Sequence, residues 1–351
     1  MKAYITSTKA ISPQYSFEKE LSWQNLLPCK RFMAAIEPNY KNYFPPLKLR
    51  RMSRIVKMGI TSAIQCLKEA GIEKPGGIIT ATGWGCLDDT ITFLDEIAAK
   101  KEQMLSPATF IQSTHNTVGG QIALMLGCRE YNSVYVNHTS SFEHGLLDAM
   151  MLLNDGSDNI LVGGIDELVE LDFKLKGKAG YWKVEGQLTD LAESKTKGTI
   201  AGEGSVFFLL SGKPDKNTSS QISSVRIESK GNAEDALAKL LKENGIGITD
   251  VQVCIAGING DSGLNRIYRD FLNEHMGNAM HTYYKHLCGQ YDTSSAFALF
   301  LANEMIKKHT VPDALRLKKK GILQSELKHI LIYHYSEPNE HAFILVSKAG
   351  L

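Results

Sequence analysis

β-Branched runs closed by glycine alternate with segments whose apolar residues recur at helical spacing, and this pattern holds from one end of the chain to the other. RMSRIVKMGITSAIQCLKEAG (51–71) carries a helical apolar period and stops at Gly71. GGIITATG (76–83) reads as a strand ending in glycine, and GGQIALMLG (119–127) as a helix. NSVYVN (132–137) is a strand, SFEHGLLDAMMLLNDG (141–156) a helix, and NILVGGIDEL (159–168) and GEGSVFFLLS (202–211) are strands. SGKPDKNTSS (211–220) is polar and rich in turn formers, and so is read as a joint. Beyond it come a helix (EDALAKLLKENG), a strand (VQVCIAGI), a helix (SSAFALFLANEMIKK) and two closing strands (HILIYHY, HAFILVSK). Strands separated by helices demand an α/β layered fold with mixed sheets. The two stretches 1–210 and 221–351 read alike, as a duplicated architecture would.

The bulk properties narrow the function. Lys plus Arg number 39 against 38 Asp plus Glu in 351 residues, so there is no single-sign field for nucleic acid or an anionic membrane. The six cysteines, at 29, 66, 86, 128, 254 and 288, include no CxxC pair, and neither a zinc ribbon nor a disulfide frame is indicated. No cofactor or metal is expected. The opening MKAYITSTKAISP has no apolar core segment, and no apolar run is long enough to span a bilayer, so the expected setting is cytoplasmic.

One turn concentrates the chemistry. Val134, Tyr135 and Val136 enter it, His138-Thr139-Ser140-Ser141 form it, and a helix with an apolar stripe (Phe142, Leu146, Leu147, Met150, Leu153) leaves it. Ser140 or Ser141 suits an N-cap, and Glu143 suits the helix's positive end. The residues fit an ordinary capped turn. They also fit a nucleophile platform, where N–H groups at a helix start hold an oxyanion.

Several segments, in order, give the chain a resemblance to the β-ketoacyl-[acyl-carrier-protein] synthases of the thiolase superfamily. RMSRIVKMGITSAIQCLKEAGI resembles the family's Arg-Met-Asp-Arg helix, and GGIITATGWGCLDDT its strand and Gly-rich turn. SPATFIQSTHNTVGGQIALMLG resembles its Asn-x-x-x-Gly-Gln-Ile-Ala segment. DNILVGGIDEL resembles its Ala-Gly-Gly-x-Glu strand, and KGTIAGEGSVFFLL its Gly-Glu-Gly strand. The resemblance implies a thiolase-like fold: two similar halves in a layered αβαβα arrangement with mixed sheets.

It also implies which positions carry chemistry. The family's turn reads Ala-Cys-[Ser/Thr]-Ser, and the register puts Thr139 in the cysteine's place. A threonine hydroxyl without a base is a poor nucleophile, and its ester is a poor acyl donor to a carbanion. The strand VQVCIAGI ends at Asn259, where the family has its first catalytic histidine. HTYYKHLCG is read against Lys-x-x-x-Gly-His-x-x-Gly, with His286 as the second histidine. The family's Phe-Gly-Phe-Gly-Gly gating loop becomes YHYSEPNEH (333–341), with His341 near the asparagine that follows that loop. His115, in QSTHNT, resembles a residue that reaches the partner's pocket across the family's dimer axis, and His138 stands beside the nucleophile position. The pocket set is thus His115, His138 and His341. The chain also lacks parts of 20–50 and 167–198 that relatives carry as contact and capping loops. The implied partners are an acyl carrier protein and an active ketosynthase, or a second copy. Three readings stay open: an accessory subunit like a chain-length factor, a hydrolase or acyltransferase using Thr139 or a neighbouring serine with a nearby histidine, and a protein that binds acyl chains or carrier protein.

Overall fold

The computed structural model describes residues 2–183, 190–216, 218–317 and 326–350. Ten strands form its main sheet: β1 (Ala3–Ile11), β2 (Gly77–Ala81), β3 (Tyr131–Tyr135), β4 (Ile160–Asp166), β5 (Gly204–Ser211), β6 (Ser220–Ser229), β7 (Val253–Ala256), β8 (Met280–Tyr283), β9 (His329–Ser336) and β10 (Glu340–Lys348). The main helices are α1 (Arg54–Ala70), α2 (Leu87–Lys100), α3 (Thr117–Leu126), α4 (Ser141–Asn154), α5 (Ala233–Glu243), α6 (Ser262–His275) and α7 (Ser295–Lys308).

The strand order is β8-β7-β9-β10-β6-β1-β5-β4-β2-β3. Written from each half's own first strand, both halves have the same order, third-second-fourth-fifth-first. The second strand pairs parallel with the third and fourth, and the fifth runs antiparallel to both its neighbours. The duplication inferred from the alternating pattern is therefore visible as topology. The two five-stranded units are not separate sheets. They are stitched along one edge by a short antiparallel pairing, Ala3↔Ile222, Tyr4↔Gln221 and Ile5↔Ser220.

The layers follow from which faces are apolar. α4 packs on β4, β2 and β3 and reaches β6 of the other half, whereas α7 packs on β9 and β10 and reaches β5 and β1. These two helices form the central layer, and their buried side chains (Phe142, Leu146, Phe297, Leu301) join one core with residues from both halves. α1 and α3 cover the outer face of the first half, and α5 and α6 that of the second, each over its own core. The expected stripe on α4 is present, with Leu147 half-buried and the rest buried. Among the described residues, no helix is long and apolar enough to cross a membrane.

Some elements depart from the sequence reading. β6 and β8 are polar or short, and the alternating pattern passed over them. α6 has its apolar face at Tyr268, Phe271 and Leu272, and α2 grows out of what looked like a Gly-rich turn. Neither Ser140 nor Ser141 caps α4. Ser141 Oγ instead accepts from Asn137 N (2.7 Å) and donates to His138 O (2.6 Å), closing the turn on itself. Glu143 lies in the first turn of α4, as expected, but not towards solvent. It is fully buried, with Oε1 3.0 Å from His334 Nδ1.

Candidate active-site cleft

β3 ends at the edge of the sheet, and the chain turns through a one-turn 3-10 helix (His138–Ser140) into α4. His138 takes a left-handed φ of 47°, a conformation that costs a non-glycine residue energy, and this aims the next residue into a cleft. The cleft has a volume of about 470 Å³ and is floored by Thr139, Asn259, Lys285 and Gln290, with aromatic walls that include Trp84 and Tyr335. Thr139 Oγ1 is hydrogen-bonded to Ser336 Oγ at the end of β9. One helical turn further along α4, Glu143 meets His334, two residues back on β9. The spacings i,i+4 on a helix and i,i+2 on a strand match, so two polar rungs join the turn helix to the strand that leads into the YSEPN loop.

The second half supplies amides and an amine. Asn259 follows β7 and is buried; its Oδ1 accepts from Asp261 N (3.0 Å) and its Nδ2 donates to Gln290 Oε1 (3.4 Å). Lys285 Nζ donates to the same Gln290 oxygen at 2.6 Å. Lys285 is 2% exposed, and burial pulls its pKa down to about 8. Close backbone crossing places this segment: Gly202 N donates to Gln290 O (3.1 Å) and Gln290 N to Ile200 O (2.7 Å). A Cβ on Gly202 would fall 1.9 Å from Cys288 O, so only glycine fits there. Asp166, at the end of β4, ties the cleft to the Gly-rich turn and to the start of α7. It accepts from Thr82 Oγ1 (2.9 Å), Gly83 N (2.8 Å), Thr293 N (2.8 Å) and Thr293 Oγ1 (2.8 Å). Burial and the nearby Asp292 carboxylate push its acid up.

The sequence-derived residues divide. Thr139, His138 and Asn259 line the cleft. His286 does not: its ring packs 4.1 Å from that of Tyr283, and burial lowers its pKa to about 4. The cause is the helical turn Lys285–Cys288, which sends consecutive side chains in different directions, Lys285 into the cleft and His286 away from it. The spacing Lys-x-x-x-Gly also occurs at Lys285 and Gly289, and Gln290, the residue after it, lines the cleft with Lys285. His341 also lies outside the cleft, buried on the far face of β10 with Nδ1 2.9 Å from Tyr333 Oη and Nε2 3.2 Å from Asn339 Oδ1. His115 is exposed in the loop before α3, over the Gly-rich turn at Gly85 and outside this cleft.

The cleft brings together the Thr139 hydroxyl, the Asn259 and Gln290 carboxamides and the Lys285 amine, with the His138 imidazole and the Asp292 carboxyl group also in its lining; among the described residues that line it there is no thiol. Residues 23–178 match the family described as "Beta-ketoacyl synthase, N-terminal domain". A comparison with curated protein sequences finds no match. Among solved structures, the chain is similar to the ishigamide ketosynthase/chain length factor (14% identity, 99% of each chain covered, TM-score 0.81). It is similar also to a β-ketoacyl synthase from Burkholderia phymatum STM815 (12%, 99% of each chain, TM-score 0.81). A third likeness is to the ketosynthase ApeO in complex with its chain length factor ApeC from Xenorhabdus doucetiae (15%, 99% of this chain and 98% of that one, TM-score 0.78). The chain has the ketosynthase fold. Within that ketosynthase fold, Thr139 stands at the strand-to-helix turn and Asn259 and Gln290 face it from the second half.

Proposed function

We propose that this protein is a non-condensing ketosynthase-type subunit that pairs with an intact ketosynthase in fatty-acid or polyketide-type biosynthesis, and that acyl carrier protein serves the pair. The observation that carries the reading is the floor of the cleft: Thr139 hydrogen-bonded to Ser336, with Asn259 and Gln290 facing it. Condensation needs a thiolate to accept and return the acyl group, and imidazoles to assist decarboxylation of the extender and steady its enolate. Among the described residues that line the cleft there is no thiol and a single imidazole, that of His138, while the scaffold around it is kept. Two of the similar structures described above contain a ketosynthase with a chain length factor, which is the kind of pairing proposed. The hydrolase reading has less support: Thr139's hydroxyl is engaged by Ser336, His286 faces away from it, and the ring of His138, which does line the cleft, packs against Trp84.

The test is a condensation assay with malonyl- and acyl-carrier protein. The chain alone is expected to give no product, and the pair with an intact ketosynthase is expected to exceed that ketosynthase alone. Thr139→Ala in this chain is expected to leave the pair's turnover unchanged. An acyl group trapped on Thr139, seen by intact-mass spectrometry, or loss of turnover in Thr139→Ala, would overturn the reading.

A further inference from the structure

Lys285 is a buried amine that faces an open cleft. Its Nζ has a neutral hydrogen-bond partner, Gln290 Oε1 at 2.6 Å, and lies 5.8 Å from the centre of the Tyr284 ring. Among the described residues, no carboxylate forms an ion pair with it. A buried ammonium without an ion-pair partner is costly, so the site brings the free amine, which is the nucleophilic form, within easier reach than on an exposed lysine. Burial holds its pKa near 8. An acid stands in the same cleft. Asp292 lines it from the start of the segment leading into α7, with its carboxylate pressed against the backbone of Gly83. Burial pushes this acid up, against the pull of Lys176, His138, His334 and Lys285. A primary amine and a carboxyl group whose neutral form burial favours, sharing a cleft without pairing, are the two groups needed to form and dehydrate a carbinolamine. The aromatic walls of Trp182, Tyr268 and Tyr335 suit an apolar chain.

We propose that the cleft binds ketone- or aldehyde-bearing acyl compounds covalently, as an imine on Lys285, with Asp292 as the proton donor. The Lys285 nitrogen forms a bond to the carbonyl carbon and its first proton passes to the oxygen; Asp292 gives that oxygen its second proton, and it leaves as water. The second amine proton returns to Asp292, so amine plus carbonyl becomes imine plus one water, with no oxidant or reductant. The inference is independent of the accessory role, because it concerns this chain's own cleft rather than its association.

The experiment uses the full chain with acetoacetyl-N-acetylcysteamine and sodium cyanoborohydride, read by intact mass and peptide mapping. A reduced adduct is expected on Lys285, at least tenfold over any other lysine. It should be absent in Lys285→Arg and formed at least tenfold more slowly in Asp292→Asn. Mapping the wild-type adduct decides the site even if a variant folds poorly. No adduct, an adduct spread over surface lysines, or one that forms without reductant (amide formation by attack on the thioester) would each overturn the proposal.

Discussion

The sheet has two free ends, and the protein treats them differently. β8, at the second half's end, is covered: Thr282 bridges to Arg316, Leu317 N donates to His281 O (3.0 Å), and Tyr283 is buried. β3, at the first half's end, occupies the equivalent place in the repeated order and has no such cover among the described residues. Tyr131 and the following Val136 are exposed, and Leu124, Phe110 and Ile111 of neighbouring elements are exposed as well. A bare strand edge beside apolar side chains is a hazard unless something pairs with it. The duplication therefore sets where the edges lie, and the local sequence decides which one is left for a partner. The bare edge also runs straight into the Thr139 turn, so anything pairing there sits against the cleft.

The largest expected effect isolates fold from association. Arg54 reaches from α1 to Glu203 just before β5, in a two-pronged contact (2.5 and 2.6 Å) to a carboxylate that is 1% exposed. Glu203 also accepts from Ala35 N (2.8 Å) and Leu168 N (2.7 Å). Glu203→Gln is expected to cost about 3 kcal/mol of stability by urea unfolding, since it removes the more buried of Arg54's two carboxylate partners and leaves only Glu37, 2.6 Å from Arg54 Nε. It should leave the oligomeric state of the folded fraction unchanged. At the bare edge the opposite split is expected. Val134→Glu places a charge where a partner strand would lie and should weaken association by about 3 kcal/mol, more than a hundredfold, in sedimentation velocity. Its melting temperature as a monomer should move little.

At the covered end, His286 offers a pH test. Its folded pKa of about 4 lies below the ordinary 6.5, so the unfolded chain binds the extra proton between those values. The stability it permits is intact above pH 6.5 and is lost as pH falls towards 4. Moving from pH 7 to pH 4 should cost the wild type roughly 2–3 kcal/mol more than it costs His286→Gln, by chemical denaturation at each pH. The smallest effect is at the cover itself. Arg316→Ala removes a bond to Val311 O (2.9 Å) and a contact to Asp313 (3.0 Å), and should cost about 1 kcal/mol without altering association.

Much of this was legible in the residues. Strands such as VQVCIAGI and HAFILVSK carry continuous apolar runs because they are buried on both faces, and α4 announces itself by its stripe. β6 was harder: SQISSVRIES carries few apolar residues, and its place comes from pairing with β10 and β1 over long sequence distances. At the site, Thr139 and Asn259 were reachable because each ends a recognisable strand. Gln290 was not, because a glutamine carries no signal of its own. The spacing of Lys285 and Gly289 was the available clue, and the adjacent His286 obscured it. His334 and Glu143 meet only through the packing of β9 on α4, which no local pattern encodes.

The central claim is that the bare β3 edge belongs to an intact ketosynthase. Native mass spectrometry of the full chain co-expressed with an intact ketosynthase tests this most directly. A one-to-one complex that Val134→Glu dissolves is the predicted result. A chain that stays monomeric, or that forms only copies of itself while the ketosynthase does the same, would contradict the account.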